Sequence, residues 1–239
     1  MTEPAETRWW KWQGGQDRIA NSFCVIGVGR FGSAVCRELL AAGAEVLAID
    51  MSQRSIDELR QQFPAIEARV VDCTDEEALR AAGALDVSTV VVAISEPIEA
   101  SITATLIVRD GTGTQVQQVI SRATSDLHEK MLLRVGADRV VFPSKMQGSR
   151  LGLELVRPNL LERLRLDDHN CIEELRVPAS FAGLSLRDLN LRKRFNVSVL
   201  AAGPVNQLTV NPPGSQVLHE NEVLVVMGSA EALEALPSR

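Results

Sequence analysis

Residues 23–32 read Phe23-Cys-Val-Ile-Gly27-Val-Gly29-Arg30-Phe31-Gly32, a short apolar run that enters a Gly-x-Gly-x-x-Gly turn. In such a turn Gly27 permits the tight bend, Gly29 lets the backbone approach a pyrophosphate, and Gly32 lets helix and strand pack closely. The helix that follows offers free N–H groups and a positive dipole end to phosphates. We therefore predict a nucleotide-binding loop formed by Gly27, Val28, Gly29, Arg30, Phe31 and Gly32.

A second apolar run, Glu45-Val-Leu-Ala-Ile-Asp50, ends in an acid. Asp50 stands about 20 residues beyond the loop, the spacing at which a carboxylate reaches ribose hydroxyls. The alternative is a solvated acid at a strand end. Because a carboxylate repels a 2′-phosphate, the acid favours ATP/ADP or NAD(H) over NADP. Met51 and Arg54 follow it and belong to the predicted site.

Two further strand ends join this site. Asp72, Cys73 and Thr74 follow the third apolar run, and we expect that strand end to lie beside the adenine. The alternative is that Asp72 caps the next helix, a position that Thr74 or Asp75 also suits. The fourth apolar run ends at the topological switch point of a doubly wound sheet, where ligands bind. That run ends in Ala93, Ile94 and Ser95.

Three cations point to the same crevice by topology: Arg30, Arg122 and Lys145. A guanidinium or ammonium group beside bound phosphates would form charge-assisted hydrogen bonds. The alternative for each is an ordinary exposed cation on the protein surface.

Composition excludes several classes of function. The 239 residues are 45% hydrophobic and 23% charged, as in soluble globular proteins, and the net charge of −6 argues against a nucleic-acid partner. No apolar stretch reaches the roughly 18 residues of a membrane span, so we expect a cytoplasmic protein. The cysteines show no Cys-x-x-Cys pair and the histidines no metal-ligand spacing, so we predict buried thiols and no metal site. Neither a paired acid and base nor a Walker sequence is present, so the chain is not predicted to be an enzyme.

Apolar runs and helical patterns alternate as far as Ser144. Strands that recur in this way with helices between them indicate βαβ units and a parallel sheet. One of the helical patterns is Leu127/Met131/Val135. We predict a doubly wound, Rossmann-type α/β domain with six strands, near residues 23–26, 46–49, 66–71, 89–94, 116–120 and 139–142.

The pattern changes after Ser144. We predict a helical connector over 145–166 and a small α+β domain over 167–239, after a Rossmann domain over 18–144 and a tail over 1–17. The connector residues Leu151, Leu155 and Leu160 find little surface within one chain, so we expect a second copy to cover them. The tail holds Trp9, Trp10 and Trp12 and is either mobile or an aromatic anchor.

These residues resemble the KtrA/TrkA family of potassium-transport regulators. The resemblance covers about residues 17–236 and is carried by the glycine loop, Glu45–Asp50, Gly136-Ala-Asp-Arg-Val-Val-Phe-Pro143 and Glu222-Val-Leu-Val-Val-Met-Gly228. It implies one Rossmann-type RCK N-domain and one RCK C-domain. It also implies a cytosolic homo-oligomer, an octameric ring built from dimers, that docks on a membrane potassium transporter subunit of the KtrB/TrkH type and gates it.

The resemblance implies ligands as well. Family members bind ATP, ADP or NAD(H), with the acid matching Asp50 on the ribose, the acid matching Asp72 near adenine, and the arginine matching Arg30 near the terminal phosphate. Some relatives carry Glu where this chain has Ser144, and use it to hold a divalent cation beside ATP. A hydroxyl is a weak ligand for Mg²⁺, so no such site is predicted here.

Some members also bind cyclic di-AMP between two C-domains. Segments that resemble that cleft contain Asn190, Arg192 and Pro212. The alternative is that these residues only form a dimer surface. Two other functions compete with the regulator of potassium uptake: an NAD-dependent oxidoreductase, and an RCK regulator of a potassium channel or efflux system.

Overall fold

The computed structural model describes residues 22–237, and these divide into two units between Lys145 and Met146. The predicted tail, with its three tryptophans, lies outside the described residues. Among residues 22–237, no helix combines the length and apolar character that crossing a membrane requires.

The first unit is built on one parallel six-stranded sheet in the order β3-β2-β1-β4-β5-β6. Its central strands are almost wholly apolar because helices cover both faces of the sheet. The strands are β1 (Ser22–Ile26), β2 (Glu45–Asp50), β3 (Glu67–Val70), β4 (Thr89–Val92), β5 (Gln118–Arg122) and β6 (Arg139–Val141), and the helices are α1 (Arg30–Ala41), α2 (Gln53–Gln62), α3 (Glu76–Ala81), α4 (Ile98–Asp110) and α5 (Asp126–Arg134).

Local chemistry sets where these helices begin. The side chains of Ser52, Asp75 and Ser125 each accept a hydrogen bond from the backbone of the first turn of α2, α3 and α5. Such caps satisfy N–H groups that a helix leaves unpaired. Asp75 is therefore the cap of α3, and the alternative assignment of Asp72 to this role is wrong.

The strand order confirms the predicted doubly wound α/β fold. Both neighbours of β1 are parallel to it, and the chain crosses from one half of the sheet to the other between β3 and β4. The carboxyl ends of all six strands therefore lie along one edge. A crevice at the β1–β4 boundary follows from that reversal of strand order.

The second unit is built on an antiparallel five-stranded sheet in the order β10-β9-β11-β8-β7. Its apolar core lies between the sheet and short helical segments. The helix α6 (Pro143–Val156) crosses the boundary between the units. The other elements are β7 (Leu160–Arg165), β8 (Asn170–Arg176), α7 (Leu186–Leu189), α8 (Leu191–Phe195), β9 (Ser198–Gly203), β10 (Thr209–Val210), β11 (Val223–Ser229) and α9 (Ala230–Glu234).

The structure corrects the predicted helical connector over 145–166. The helix ends at Val156, and β7 follows it and pairs with β8 in the antiparallel sense. Pro158 explains the break, because proline disfavours helical geometry in the residue before it. The spacing of Leu160 and Leu164 fits a helix, but in β7 a register shift between Leu160 and Glu162 places the two leucines on different faces, and Leu164 is 58% exposed. Leu160 is buried in the core of the second unit and is not part of an exposed helical stripe.

The helix α5 forms where it was predicted, but its apolar stripe does not face the core. Leu127 and Met131 are exposed, whereas His128 and Leu132 are buried. Helical spacing fixes which side chains share a face, and it leaves open which face turns inward. An exposed stripe of this kind is a candidate protein contact.

Candidate nucleotide-binding site

A cavity of about 480 Å³ lies at the carboxyl edge of the parallel sheet, around the ends of β1 and β4. Its volume falls within the range of small-molecule sites. It brings together ten of the predicted residues: Gly27, Gly29, Arg30, Asp50, Met51, Cys73, Ala93, Ile94, Ser95 and Arg122.

The glycine loop forms one wall of this cavity. Gly27 has φ +93°, and a Cβ there would lie 3.0 Å from Cγ1 of Ile94, so only glycine fits without strain. A Cβ at Gly32 would collide with the carbonyl oxygen of Gly27. Gly29 differs, because a Cβ there would meet no protein atom within 4 Å. The open side of the loop is therefore at Gly29.

The first turn of α1 adds backbone donors to this wall. Gly29 occupies the N-cap position and offers no side chain to the N–H groups of the turn. Those groups carry the positive end of the helix dipole and suit an anionic ligand. Phosphate binding at this point is consistent with the geometry and stays a prediction.

Asp50 connects the loop to the strand that supplies it. Its Oδ2 accepts a hydrogen bond from the N–H of Val28 at 2.9 Å, and its Oδ1 accepts one from the N–H of Ser52 at 2.8 Å. Carboxylate oxygens have further lone pairs, so both can accept ribose hydroxyls as well. Asp50 thus shapes the loop and lines the cavity at the same time.

Arg122, at the end of β5, is the most constrained cation in this cavity. Its guanidinium carbon lies 5.7 Å from the ring centroid of Phe31, and its Nε is buried without a hydrogen-bond partner in the described part of the chain. Stacking on an aromatic ring orients a guanidinium. Phe31 therefore acts on the site by holding Arg122, whereas Arg30 is exposed at the start of α1.

The β3 end contributes a thiol. Cys73 lines the cavity, and burial, together with the nearby Asp72, raises the pKa of its thiol to about 11. The carboxylate of Asp72 accepts hydrogen bonds from both the N–H and the hydroxyl of Thr74, which lower its pKa. Asp72 and Thr74 are exposed beside the cavity and do not line it.

Two predicted cations lie away from this cavity. Arg54 is exposed on α2 and pairs with Glu58 at 2.7 Å. Lys145 lies 3.6 Å from Asp126 and over the ring of Phe142, and it lines a separate cavity of about 340 Å³ that also contains Ser144. Neither belongs to the Asp50 cavity within this single chain.

Sequence reasoning missed four residues that complete the lining: Ile26, Glu96, Pro97 and Ala100. Glu96 adds a carboxylate four residues beyond the end of β4. No motif marks it, because its position follows from the path of the chain into α4. Extending the predicted switch-point segment by one residue would have included it, and by two residues Pro97 as well.

The two C-domain segments that were predicted to line a second ligand site are joined through the residues that flank them. The N–H of Arg187 in α7 donates to the carbonyl oxygen of Gly214 at 2.8 Å. Asn190 adopts the left-handed conformation (φ 44°) between α7 and α8, and Arg192 is exposed. Pro212 is half-buried in the neighbouring loop. This surface is polar and exposed.

Metal and thiol chemistry receive no support from the described residues. Across 22–237, no group of three or more His, Cys, Asp or Glu side chains is arranged to hold a metal ion. All four cysteines are buried and free, as predicted. Burial raises the pKa of Cys36 to about 12, so its thiol is protonated at neutral pH.

Comparison with known families agrees with this architecture. The TrkA-N domain model matches residues 23–143, and the TrkA-C domain model matches residues 172–237. The two matches fall on the parallel sheet and on the antiparallel sheet, respectively.

Several curated proteins are similar to this chain over most of its length. "Ktr system potassium uptake protein C" of Bacillus subtilis is 33% identical over 221 residues, which cover 92% of this chain and 98% of that protein. "Ktr system potassium uptake protein A" of the same organism is 32% identical, over 88% of this chain and 93% of that protein. The protein of the same name from Vibrio alginolyticus is 31% identical, over 88% and 94%.

Solved structures share the fold. The GsuK RCK domain matches with a TM-score of 0.64 at 20% identity, over 90% of this chain and 46% of that chain. A structure described as the GsuK channel bound to NAD matches with a TM-score of 0.63 at 20% identity, over 89% of this chain and 38% of that chain. At this identity the likeness bears on the fold alone.

Proposed function

The chain belongs to the KtrA/TrkA family, and from that premise we propose that it is a nucleotide-sensing regulatory subunit of a membrane potassium-uptake system. The observation that carries the proposal is the cavity at the β1–β4 boundary. The open side of Gly29, the uncapped N–H groups in the first turn of α1 and the Asp50 carboxylate lie together there. The Ktr relatives are named as potassium-uptake proteins, which supports the transport role.

The ligand class is an adenine nucleotide with free ribose hydroxyls: ATP/ADP or NAD(H). Asp50 accepts from the ribose, and the negative charge on that carboxylate disfavours a 2′-phosphate. Arg30 and Arg122 both line the cavity and receive the phosphates. The buried, unpartnered Nε of Arg122 supports this assignment, because a polar atom without a partner gains most from a bound anion.

Four predicted residues outside the glycine loop would act with a second copy. They lie outside the single-chain cavity: Arg54, Asp72, Thr74 and Lys145. A ring of subunits, octameric and built from dimers, brings such residues toward a neighbour's ligand. Exposed apolar side chains on α5 and α6 supply contact surface for that assembly.

The ring sits at the inner face of the membrane through its transporter, a subunit of the KtrB/TrkH type. Nucleotides gate the transporter because they bind two conformations of the ring with different affinity. The equilibrium between the two conformations shifts by this difference in binding free energy and by no more. The chain acts without catalysis. In the described residues the cavity holds no pair of acid and base with a nucleophile, and its thiol is protonated.

The C-domain provides a second ligand surface. Arg187, Arg192 and Asn190 present cationic and amide groups beside the Pro212 loop, which suits the phosphates of cyclic di-AMP. This part of the proposal rests on the juxtaposition of α7, α8 and that loop. It fails independently of the N-domain site.

Calorimetric titration of the purified chain tests the ligand assignment. ATP, ADP, NAD⁺ and NADH should compete for one site per chain, and NADP⁺ should bind more weakly. Cyclic di-AMP should bind in the presence of saturating ATP, because its surface is separate. The proposal fails if none of the four adenine nucleotides binds, and turnover of NAD(H) with small substrates would instead indicate an oxidoreductase.

Reconstitution tests the transport role. The chain should be retained by a transporter subunit of the KtrB/TrkH type in liposomes, and ATP and ADP should produce different rates of K⁺ uptake. Equal rates with the two nucleotides and with NADH would overturn gating by nucleotides.

A further inference from the structure

A second cavity lies at the opposite edge of the parallel sheet, where the strands begin. Its volume is about 360 Å³, enough for a large aromatic side chain. The amino ends of β1, β2 and β3, the end of α3 and the approach to β4 surround it. The lining residues are Ser22, Phe23, Leu40, Ala44, Glu45, Val46, Leu47, Ala65, Glu67, Ala82, Gly83, Asp86 and Val87.

The lining combines an apolar wall with carboxylates. Phe23, Val46 and Val87 belong to the wall, and the ionisable side chains that line the cavity are all acids. Glu67 pairs with Arg69 at 3.1 Å, whereas no contact between described residues engages the carboxylates of Glu45 or Asp86. An occupant that is apolar at its centre and cationic at its ends therefore matches this surface.

The chain itself carries such an occupant. Ser22 and Phe23 line the cavity and are the first residues that the structure describes, so the tail is covalently attached to a residue of the cavity wall. Residues 8–12 read Arg8-Trp-Trp-Lys-Trp12 and combine three indoles with two cations. About ten residues join Trp12 to Ser22, and that length of chain spans up to roughly 35 Å when extended.

We propose that residues 8–12 dock in this cavity of their own chain. One indole packs against the apolar wall of the cavity. Lys11 and Arg8 form ion pairs with Glu45 and Asp86. Because the segment is tethered, its effective concentration is in the millimolar range, so weak contacts suffice. Tryptophan suits such a site, since a rigid ring buries a large area at low entropic cost. The proposal does not depend on nucleotide binding at the other edge of the sheet.

Zero-length cross-linking tests the docking on the wild-type chain. Lys11 is the single lysine of residues 1–21, so carbodiimide should join its amine to the carboxylate of Glu45 or Asp86, as read by mass spectrometry of the digest. The double variant Glu45→Gln/Asp86→Asn should lose these cross-links. Their absence in the wild-type chain, with Lys11 joined to other acids, overturns the proposal.

An isotope experiment distinguishes docking within one chain from exchange between copies. Labelled and unlabelled chains are unfolded together, refolded as a mixture and then cross-linked. Cross-linked peptides of uniform isotope composition support the proposal. Peptides that join a labelled to an unlabelled half show that a second copy supplies the segment, and they overturn it.

Intrinsic fluorescence provides an independent readout. All three tryptophans lie in residues 9–12 and the chain contains no tyrosine, so emission reports on this segment alone. Charge reversal by Glu45→Lys/Asp86→Lys should shift the emission to longer wavelength and raise the acrylamide quenching constant. The matched control Asp110→Lys/Glu220→Lys alters exposed acids outside the cavity and should leave both unchanged. A folded wild-type chain whose emission equals that of the urea-unfolded chain overturns the proposal.

Discussion

The carboxylate of Asp50 and the backbone N–H of Val28 form a 2.9 Å hydrogen bond across 22 residues of sequence. Val28 is 5% exposed, so its N–H has little access to water and this bond supplies an acceptor. The same carboxylate faces the cavity. The residue assigned to the ribose is thus also the residue that fixes the glycine loop, and its two roles can be separated by measurement.

Asp50→Ala should weaken the binding of every adenine nucleotide by about 1.5–3 kcal/mol, the scale of hydrogen bonds to a charged group. It should also lower the free energy of unfolding by about 1–3 kcal/mol, because the buried Val28 N–H loses its acceptor. Calorimetry and urea unfolding measure the two effects. Asp57→Ala, on the exposed face of α2, is the control and should change neither. Affinities within about twofold of the wild type would show that Asp50 has no role in ribose binding.

Gly29→Ala should leave the fold intact and abolish nucleotide binding. A Cβ there meets no protein atom within 4 Å, so it projects into the space that we assign to the pyrophosphate. We expect the free energy of unfolding to stay within about 1 kcal/mol of the wild type.

Two glycine variants serve as controls for that result. Gly148→Ala, in the exposed α6, should stabilise the helix by about 0.5–1 kcal/mol and leave binding unchanged. Gly32→Ala should destabilise the protein by at least about 1–3 kcal/mol, because its Cβ collides with the Gly27 carbonyl. Normal nucleotide affinity in Gly29→Ala would exclude the loop from the ligand site.

The sequence was sufficient for the sheet because each feature there is local. Strand, glycine turn, helix and acid follow one another within 30 residues, and parallel topology then places their ends together. The connector was predicted wrongly because the four-residue spacing of Leu160 and Leu164 fits a helix, and that spacing does not reveal the β-bulge that puts the two leucines on different faces of β7. The outward face of α5 and the stacking of Arg122 on Phe31 depend on packing between distant segments, which periodicity does not encode.

Arg30→Ala should reduce the affinity for ATP by about 1.5–3 kcal/mol and that for ADP by less, if its guanidinium meets the terminal phosphate. Arg122→Ala should weaken the binding of both ATP and ADP. Phe31 holds Arg122 beside the glycine loop, and this position does not depend on the number of phosphates in the ligand. Arg37→Ala, further along α1 and paired with Glu38, is the matched control. If Arg30→Ala lowers the affinities for ATP and ADP equally, Arg30 positions the ligand or the loop and does not contact the terminal phosphate.

His128 should make the stability of the first unit depend on pH. Its ring is buried, its Nδ1 accepts from the N–H of Thr124 at 3.3 Å, and its Nε2 has no partner among residues 22–237. Burial lowers its pKa below the usual 6.5, so the unfolded chain binds a proton more readily than the folded one. Stability is therefore complete above the unfolded pKa and is lost as pH falls toward the folded one.

Urea unfolding at several pH values between about 7.5 and 5 measures this dependence. In His128→Asn, whose side chain can still accept from Thr124, the slope over this range should be smaller than in the wild type. His219→Asn, which replaces an exposed histidine of the second unit, is the control. An unchanged slope in His128→Asn would assign the pH dependence to another group.

The exposed stripe of α6 is a candidate contact surface for the proposed ring. Leu151 and Leu155 lie one turn apart on α6 and are 55% and 73% exposed. Within the described structure, none of the residues of α6 is buried. A helix gains little stability from such side chains unless a partner covers them. Leu151→Glu/Leu155→Glu should therefore reduce a particle well above the 26.0 kDa of one chain to a smaller species in light scattering.

A measurement of nucleotide binding by the α6 variant distinguishes a loss of assembly from a loss of folding. Asp50, Gly29 and Arg122 lie in the first unit, so the α6 variant should still bind ADP, whereas any residue contributed by a neighbour to ATP would be lost with the ring. Ser149→Glu adds a charge to the opposite side of α6 and should leave the particle intact. A monomeric wild-type chain at micromolar concentration would remove the ring and the gating built on it. Identical scattering profiles with ATP and ADP would remove only the switch between those two ligands, and NAD(H) or cyclic di-AMP would then be the signal to test.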